Sequence, residues 1–202
     1  MFTGIVSDIG EITAVTSGNR EGGQAGDRRF VVRTAHDLGA VPIGASIACS
    51  GCCLTVIEKG ADWFAVETSG ETLAKTHLGD WTKGTRINLE LSLKLGDELG
   101  GHLVYGHVDG LGKILSMTPE GGSVRFVFEA PAGLARFIAS KGSVAVDGVS
   151  LTVNEVEKNR FGANVISHTQ VATTLGRAKV GQRVNLEVDM LARYVQRLLE
   201  YR

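Results

Sequence analysis

The chain has 202 residues, of which 43% are hydrophobic, and a formal net charge of -1 at pH 7. This composition is typical of a globular protein, and the near-neutral charge argues against nucleic acid or an anionic membrane as a partner. No basic run precedes an apolar segment at the start, and no stretch approaches about eighteen apolar residues, so we expect a cytoplasmic protein that does not enter a membrane.

Short strands joined by glycine turns are the main predicted elements, because 27 glycines and only 3 prolines punctuate apolar stretches rich in Val and Ile. In chain order, the predicted strands span residues 46–48, 54–57, 63–67, 86–91, 124–128, 143–146, 151–156 and 183–188. Several alternate apolar and polar residues, which is typical of a sheet with one buried face. Short helices are predicted at 72–78 and 134–140. A C-terminal amphipathic helix is indicated by Leu191, Tyr194, Val195, Leu198 and Leu199.

The sequence contains a long internal repeat. A shift of 97 aligns residues 51–90 with 148–187 without a gap, and fifteen of the forty positions are identical. Farther upstream the shift becomes 102, so the glycine-rich stretch 19–26 is predicted to form a longer hairpin loop in the first copy. A repeat of this length is the size of a small domain. We therefore predict an all-β fold of two tandem, similar, six-stranded closed β-barrels with short helices, since closure removes exposed strand edges.

This repeat divides the chain into three parts. Residues 1–97 are predicted to form an N-terminal barrel, residues 98–188 a C-terminal barrel, and residues 189–202 a terminal helix. Because the apolar stripe of that helix has no obvious partner once both barrels are complete, we expect it to pack against other copies of the chain.

Four motifs follow one another along the duplicated sequence. They are Met-Phe-Thr-Gly-Ile-Val at 1–6, Gly-Cys-Cys-Leu-Thr-Val at 51–56, Gly-Gly-His-Leu-Val-Tyr-Gly-His-Val-Asp-Gly at 100–110 and Val-Asp-Gly-Val-Ser-Leu-Thr-Val at 146–153. Together they resemble the riboflavin synthase alpha chain family, and the resemblance covers essentially the whole chain.

The resemblance implies that each barrel binds one molecule of 6,7-dimethyl-8-ribityllumazine. A four-carbon unit then passes from one molecule to the other and gives riboflavin and 5-amino-6-(D-ribitylamino)uracil. One substrate is oxidised as the other is reduced, so no cofactor and no metal are expected. Family members are homotrimers held by the C-terminal helix, with each active site between the N-terminal barrel of one subunit and the C-terminal barrel of the next. An association with lumazine synthase is a further expectation.

The duplicated loop carries the first catalytic candidates. Cys53 in the first copy corresponds to Ser150 in the second, while Thr55 and Thr152 are the same in both. By resemblance, Cys53 and Ser150 would activate a nucleophile or hydrogen-bond at the reacting carbons, and the threonines would orient the substrate. From spacing alone, all four are more simply small residues that fill a barrel interior. Cys52 is expected to lie at the substrate as a packed thiol rather than a reagent.

Two histidines stand beside glycines. His102 and His107 could ligate a metal or move protons, but their interval of five residues does not match a metal pair. The resemblance places Tyr105, Gly106 and His107 at the substrate, so His107 is the candidate for proton transfer and His102 is expected to be structural. The three cysteines offer no second ligand pair for zinc, and an odd number with two adjacent makes a poor disulfide framework.

Four further residues are candidates for the site, either because the sequence allows a role there or because the resemblance implies one. Asp189 could cap the terminal helix or act as a base at the subunit boundary; the sequence favours capping, and the resemblance places a carboxylate near the reacting centre. Ser46 completes the catalytic candidates. Phe2 could stack on the substrate ring or plug the barrel end. Lys141 is a substrate contact by resemblance, although lysine is usually a solvated surface charge.

The remaining substrate contacts implied by the resemblance lie in the opening segment, in the duplicated loops and at two corresponding strand ends. They are Thr3, Gly4, Ile5, Val6, Leu54, Val66, Glu67, Thr68, Ser69, Gly70, Glu71, Val149, Leu151, Asn164, Val165, Ile166, Ser167, His168 and Thr169. The chain has Gln170 and Val171 where the family commonly has Leu-Glu.

Two other functions compete with this interpretation. A non-catalytic lumazine- or flavin-binding fluorescent protein would share the fold, but such relatives tend to lose residues of the second barrel. Here Lys141, Ser150, Thr152 and His107 are all present, which favours catalysis. The flavin-binding barrel of reductases uses an Arg-x-Tyr-Ser-type strand motif, and this sequence lacks it.

Overall fold

The computed structural model describes residues 1–17 and 26–201, and its first half contains a closed six-stranded barrel. The strands are β1 (Asp8–Ser17), β2 (Arg28–Arg33), β3 (Ser46–Cys49), β4 (Cys52–Lys59), β5 (Trp63–Thr68) and β6 (Arg86–Leu91). They pair antiparallel around the barrel in the order β1-β2-β5-β4-β3-β6. The predicted hairpin loop at 19–26 lies outside the described residues except for Gly26.

The second half forms a barrel with the same strand order. Its strands are β7 (Gly110–Glu120), β8 (Ser123–Glu129), β9 (Ser143–Val146), β10 (Val149–Glu157), β11 (Arg160–Ile166) and β12 (Arg183–Val188). Even the bulges correspond, since the register shifts after Ile12 in β1 and after Ile114 in β7. The predicted pair of barrels is confirmed, while the divisions at 97/98 and 188/189 stay predictions.

The helices are short. In the first half, α1 (Gly70–Lys75) is followed by a 3₁₀ turn at His77–Asp80, and in the second half α3 (Ser167–Ala172) is followed by one at Thr174–Arg177. The helix predicted at 134–140 is only one turn, α2 (Ala132–Ala135). The predicted terminal helix is confirmed as α4 (Met190–Leu199). Within the described ranges, no helix is long and apolar enough to cross a bilayer.

Each barrel encloses its own apolar core. In the second barrel Phe126, Phe128 and Phe161 are buried, with successive ring centroids 5.6 and 5.1 Å apart. In the first barrel Phe30 and Phe64 are fully buried. Burying a side chain of this size stabilises the folded state by roughly 1.5–3 kcal/mol, so these rings anchor the strands that carry the loops described below.

The two barrels are joined by reciprocal hydrogen bonds. The amide of Asn88 donates to the carbonyl oxygen of Asp147 (2.9 Å), and the amide of Asn185 donates to that of Ser50 (2.8 Å). Gly51 and Gly148 meet so closely that a Cβ on Gly51 would lie 2.6 Å from the backbone nitrogen of Gly148. The identical residues of the repeat therefore fix the relative orientation of the barrels.

Candidate active site

Two buried glutamates at the ends of equivalent strands hold the segment that precedes each barrel. Glu90 accepts hydrogen bonds from the backbone N–H groups of Thr3 (2.6 Å) and Gly4 (3.0 Å). Glu187 accepts them from Tyr105 (2.6 Å) and Gly106 (2.9 Å). Burial raises the pKa of both carboxyl groups above their usual 4.5, although the N–H donors oppose this shift.

The tethered segments cross to the opposite barrel. The backbone N–H of Ser150 donates to the carbonyl oxygen of Gly4 (2.8 Å), and that of Cys53 donates to Gly106 (2.8 Å). A Cβ on Gly4 would lie 2.6 Å from Cβ of Ser150, and one on Gly106 would lie 2.5 Å from Cβ of Cys53. Both glycines also have φ near +78°, so this approach requires glycine. Each duplicated loop thus receives a segment from the other repeat.

The catalytic candidates of the duplicated loops face outward. In β4, Cys52 and Leu54 are buried, whereas Cys53 is half-buried and Thr55 is exposed. In β10 the same alternation leaves Thr152 exposed. Because strand side chains alternate between faces, these candidate side chains lie on the outer face of each barrel. The alternative that these four residues fill a barrel interior is therefore wrong.

A cavity of about 350 Å³ lies between the barrels around the 3₁₀ turns, but none of the catalytic candidates lines it. A second cavity, of about 250 Å³, lies beside the first duplicated loop. Its lining residues are Cys52, Cys53, Glu71, Thr72, Lys75, Thr76, Gly106, His107 and Val108. Both Cys53 and His107 line this cavity. The sequence interpretation missed Thr72, Lys75, Thr76 and Val108, and the signal that could have found the first three is the predicted short helix directly after the 66–71 segment.

The thiol of Cys52, next to Cys53, is buried and is not poised to react as a thiolate. Burial raises the pKa of Cys52 to about 12, so it stays protonated at neutral pH. This agrees with its expected role as a packed thiol.

The second duplicated loop holds a pair that the sequence interpretation did not assemble. Nδ1 of His102 lies 2.7 Å from Oγ of Ser150. Burial lowers the pKa of His102 below 6.5, although the charge of Asp189 opposes this shift, so the imidazole is neutral at pH 7. Its Nε2 is buried and has no partner among the described residues. We expected His102 to be structural, but its position makes it a candidate base for the Ser150 hydroxyl.

Asp189 and Ser46 lie at strand ends. Asp189 follows β12 and caps α4, because its carboxylate accepts from the N–H of Leu191 (2.9 Å). Its charge also acts on His102, so the capping and chemical interpretations are compatible. Ser46 opens β3 opposite Thr55, and its carbonyl accepts from the Ser92 hydroxyl (2.7 Å).

Several expected substrate contacts point inward instead. Phe2 is fully buried between the barrels, in a cluster with Ala48, Val104 and Ala145. Its ring has no free face in the protomer, so packing rather than stacking describes its position. Other expected contacts have buried side chains and can offer a ligand only backbone atoms. They are Leu54, Val66, Val149, Leu151 and Val165.

The two strand-end segments occupy matching places. Residues 66–71 run from β5 into α1, and residues 164–169 run from β11 into α3. Glu71 and Ile166 are exposed, whereas the Thr68 side chain is buried. The segments correspond in position, but their exposed side chains differ between the barrels.

Lys141 has an unfavourable backbone conformation that the first barrel avoids. Its φ is +67°, and the corresponding residue of the first copy is Gly44. Replacing Lys141 by glycine should raise the free energy of unfolding by up to about 1 kcal/mol. If the ammonium binds substrate, the same change should weaken lumazine binding about tenfold, which fluorescence titration would measure.

The matched control is Lys158→Gly. Lys158 also has a positive φ, +54°, but lies at the hairpin between β10 and β11. This variant should gain stability and keep its affinity. Equal affinities of the Lys141 and Lys158 variants would show that Lys141 does not contact substrate.

Residues 1–17 and 26–201 contain no cluster of three or more His, Cys, Asp or Glu side chains that could hold a metal ion. The three cysteines are free thiols.

Comparison with known proteins identifies relatives over both halves. The sequence profile of the lumazine binding domain family matches residues 3–92 and 105–189. A riboflavin synthase from Brucella abortus is 52% identical, with 100% of this chain and 99% of that protein covered. One from Mycobacterium tuberculosis is 42% identical, with 98% of each covered. One from Photobacterium phosphoreum is 40% identical, with 98% of this chain and 89% of that protein covered.

Solved structures share the fold. Structures described as LumP complexed with riboflavin and with 6,7-dimethyl-8-(1'-D-ribityl) lumazine superpose with TM-scores of 0.83 and 0.81. Their sequences are 24% and 23% identical to this chain, and each match covers 93% of this chain and 99% of the other. At this identity the likeness establishes the shared two-barrel fold.

Proposed function

The chain belongs to the riboflavin synthase family, a family of enzymes with two lumazine binding domains, and from this premise we propose that it carries out the full dismutation of 6,7-dimethyl-8-ribityllumazine. One substrate molecule transfers a four-carbon unit to the other, so the donor becomes 5-amino-6-(D-ribitylamino)uracil and the acceptor becomes riboflavin. The two products together contain all the atoms of the two substrates, so the reaction needs no external oxidant, reductant or cofactor.

One observation carries the proposal. Each repeat presents the same kind of polar loop, with Cys53 and Thr55 in one and Ser150 and Thr152 in the other, on the outer face of its barrel. Each loop is met by a glycine-containing segment of the other repeat. Duplicated sites are what a reaction between two identical heterocycles requires. Holding two reactants in the reactive geometry can by itself supply roughly 7–11 kcal/mol of the barrier.

The two loops offer different chemistry. Ser150 has the neutral His102 imidazole 2.7 Å from its hydroxyl, which suits activation of an oxygen nucleophile, either the hydroxyl itself or a water. Cys53 faces the cavity that also contains His107, which suits proton transfer at the acidic methyl group on carbon 7 of the substrate. Thr55 and Thr152 orient the ligands, and Asp189 tunes the His102 site.

The active enzyme is a homotrimer in this proposal. The outer face of α4 leaves five apolar side chains between 53% and 71% exposed, which is unusual for a helix that stays in solvent. They are Leu191, Tyr194, Val195, Leu198 and Leu199. Packing α4 against other copies would cover them and bring the N-terminal barrel of one subunit to the C-terminal barrel of the next. We also propose a cytoplasmic location, which follows from the sequence pattern, and an association with lumazine synthase.

The second candidate is a protein of the same fold that binds lumazine or flavin without turning it over; the LumP structures, which hold riboflavin and the lumazine, share this fold. Purified protein should be mixed with 6,7-dimethyl-8-ribityllumazine alone while absorbance and fluorescence are recorded. Riboflavin without an added cofactor supports the enzyme. Tight binding with unchanged lumazine would favour the binding protein.

A further inference from the structure

The terminal helix is held to its own barrel by very few contacts. No residue of α4 is buried, so apolar packing against the second barrel does not fix its direction. Within the described residues, one ion pair joins the helix to the barrel, between Arg193 and Asp109. Arg197, one turn later, forms its ion pair with Glu200 and donates to the Tyr201 hydroxyl (2.6 Å), so its contacts stay at the end of the same helix.

Asp109 is built into the barrel wall. Its side chain is 8% exposed, and its second carboxylate oxygen accepts from the N–H of Val188 at 2.7 Å, at the end of the strand that leads into α4. Its own N–H donates to the carbonyl oxygen of Leu186 (2.8 Å). The guanidinium of Arg193 also lies over the Phe137 ring, 5.6 Å from its centroid. The pair therefore joins α4 to two parts of the second barrel.

The internal repeat shows that this arrangement belongs to the second barrel alone. At the corresponding positions the first copy has Ser7 for Asp109, Ala40 for Phe137 and Gly96 for Arg193. All three partners are thus replaced together in the copy that is not followed by a helix. A general requirement of the barrel would have kept at least the acid in both copies.

We infer that Arg193 and Asp109 are positioning residues, which fix the direction in which α4 leaves the second barrel so that copies of the chain assemble around a complete site. This inference rests on the assembly in the proposed function and names the contact that controls it. Asp109 lies two residues after His107, and Glu187, which holds Tyr105 and Gly106, lies on the strand that leads to α4. The ion pair between Arg193 and Asp109 therefore connects the helix to the segment that lines the Cys53 cavity.

The test replaces Arg193 by methionine, which keeps the length and apolar stem but removes the charge. The apparent dissociation constant of the assembly, measured by sedimentation velocity, should rise about tenfold or more. Specific activity should fall on dilution over a range in which the wild-type value is constant. Near-ultraviolet circular dichroism and Tm should show that both barrels remain folded.

Two further variants make the result specific. Arg197→Met removes an exposed charge from the same helix and should behave as wild type. Arg193→Lys restores the charge and should recover much of the resistance to dilution, because the Arg193–Asp109 pair is a single contact between one guanidinium nitrogen and one carboxylate oxygen. If Arg193→Met assembles and reacts like the wild type at every dilution, Arg193 and Asp109 do not position α4 for assembly. The proposed riboflavin reaction would not be affected by that result. Failure of the wild-type protein to form riboflavin would instead overturn the proposed function.

Discussion

Ser150→Ala should lower kcat by about 10²- to 10⁴-fold, the range associated with a positioned proton-transfer group. The change removes the hydroxyl that lies 2.7 Å from Nδ1 of His102 and leaves a small side chain on the same outward face of β10. Because the barrel core is untouched, Tm should stay near the wild-type value. Steady-state rates of riboflavin formation, with substrate binding measured separately by fluorescence, check the result.

The control for this prediction is a double-mutant cycle. If Ser150 and His102 act as one unit, His102→Gln alone and the double variant should each lose about as much activity as Ser150→Ala, because coupled groups are not additive. If the loss of activity in the double variant instead equals the product of the two single losses, the two side chains act separately. A Ser150→Ala enzyme within about twofold of wild type would remove the hydroxyl from the mechanism.

The pH profile tests the same pair. Burial lowers the pKa of His102, so the imidazole is neutral above a pH that lies below 6.5. If it acts as a base, kcat should be constant through neutral pH and fall as the pH drops through that lowered pKa, where the imidazole is protonated. The fall in kcat at low pH should be absent in His102→Gln.

The sequence predicted the architecture because its strongest signal is long and redundant. The repeat aligns Arg86, Asn88 and Glu90 with Arg183, Asn185 and Glu187, and these positions fall on the same strand of each barrel. Period-two alternation marked most strands, since a barrel wall has one buried face. The helix predicted at 134–140 ends after one turn, because its apolar residues belong to a loop packed on the barrel rather than to a helical stripe.

The site was less predictable because its partners are distant in sequence. His102 and Ser150 are separated by 48 residues, and the hydrogen bond between them depends on a segment that crosses from one barrel to the other. Alternation along 51–56 showed that Cys53 and Thr55 share a face, but not that this face lies outside the barrel. That outcome depends on which residues the closed barrel buries, and here the buried set is Cys52, Leu54 and Val56.

Glu187→Ala should reduce the free energy of unfolding by about 3–5 kcal/mol, because it leaves the N–H groups of Tyr105 and Gly106 without their acceptor in a buried site. It should also reduce activity, since the released segment lines the Cys53 cavity and carries His107. Urea unfolding at pH 7 measures the first effect, and riboflavin formation under conditions where the variant stays folded measures the second.

The isosteric change Glu187→Gln separates charge from shape. Burial raises the pKa of Glu187 above 4.5, so the folded protein binds this proton more tightly than the unfolded chain does. The contribution of this group therefore makes the protein more stable as the pH falls through the raised pKa, and less stable as the pH rises. Glu187→Gln should flatten that part of the stability profile. Glu90→Gln is the matched variant in the first barrel: burial raises the pKa of Glu90 too, so it should flatten the stability profile in the same way, while the change falls at the tether of Thr3 and Gly4 beside Ser150. Wild-type stability of Glu187→Ala would show that the glutamate does not hold the crossing segment. A stability profile that Glu187→Gln leaves unchanged would show that the pKa of Glu187 is not raised in the folded protein.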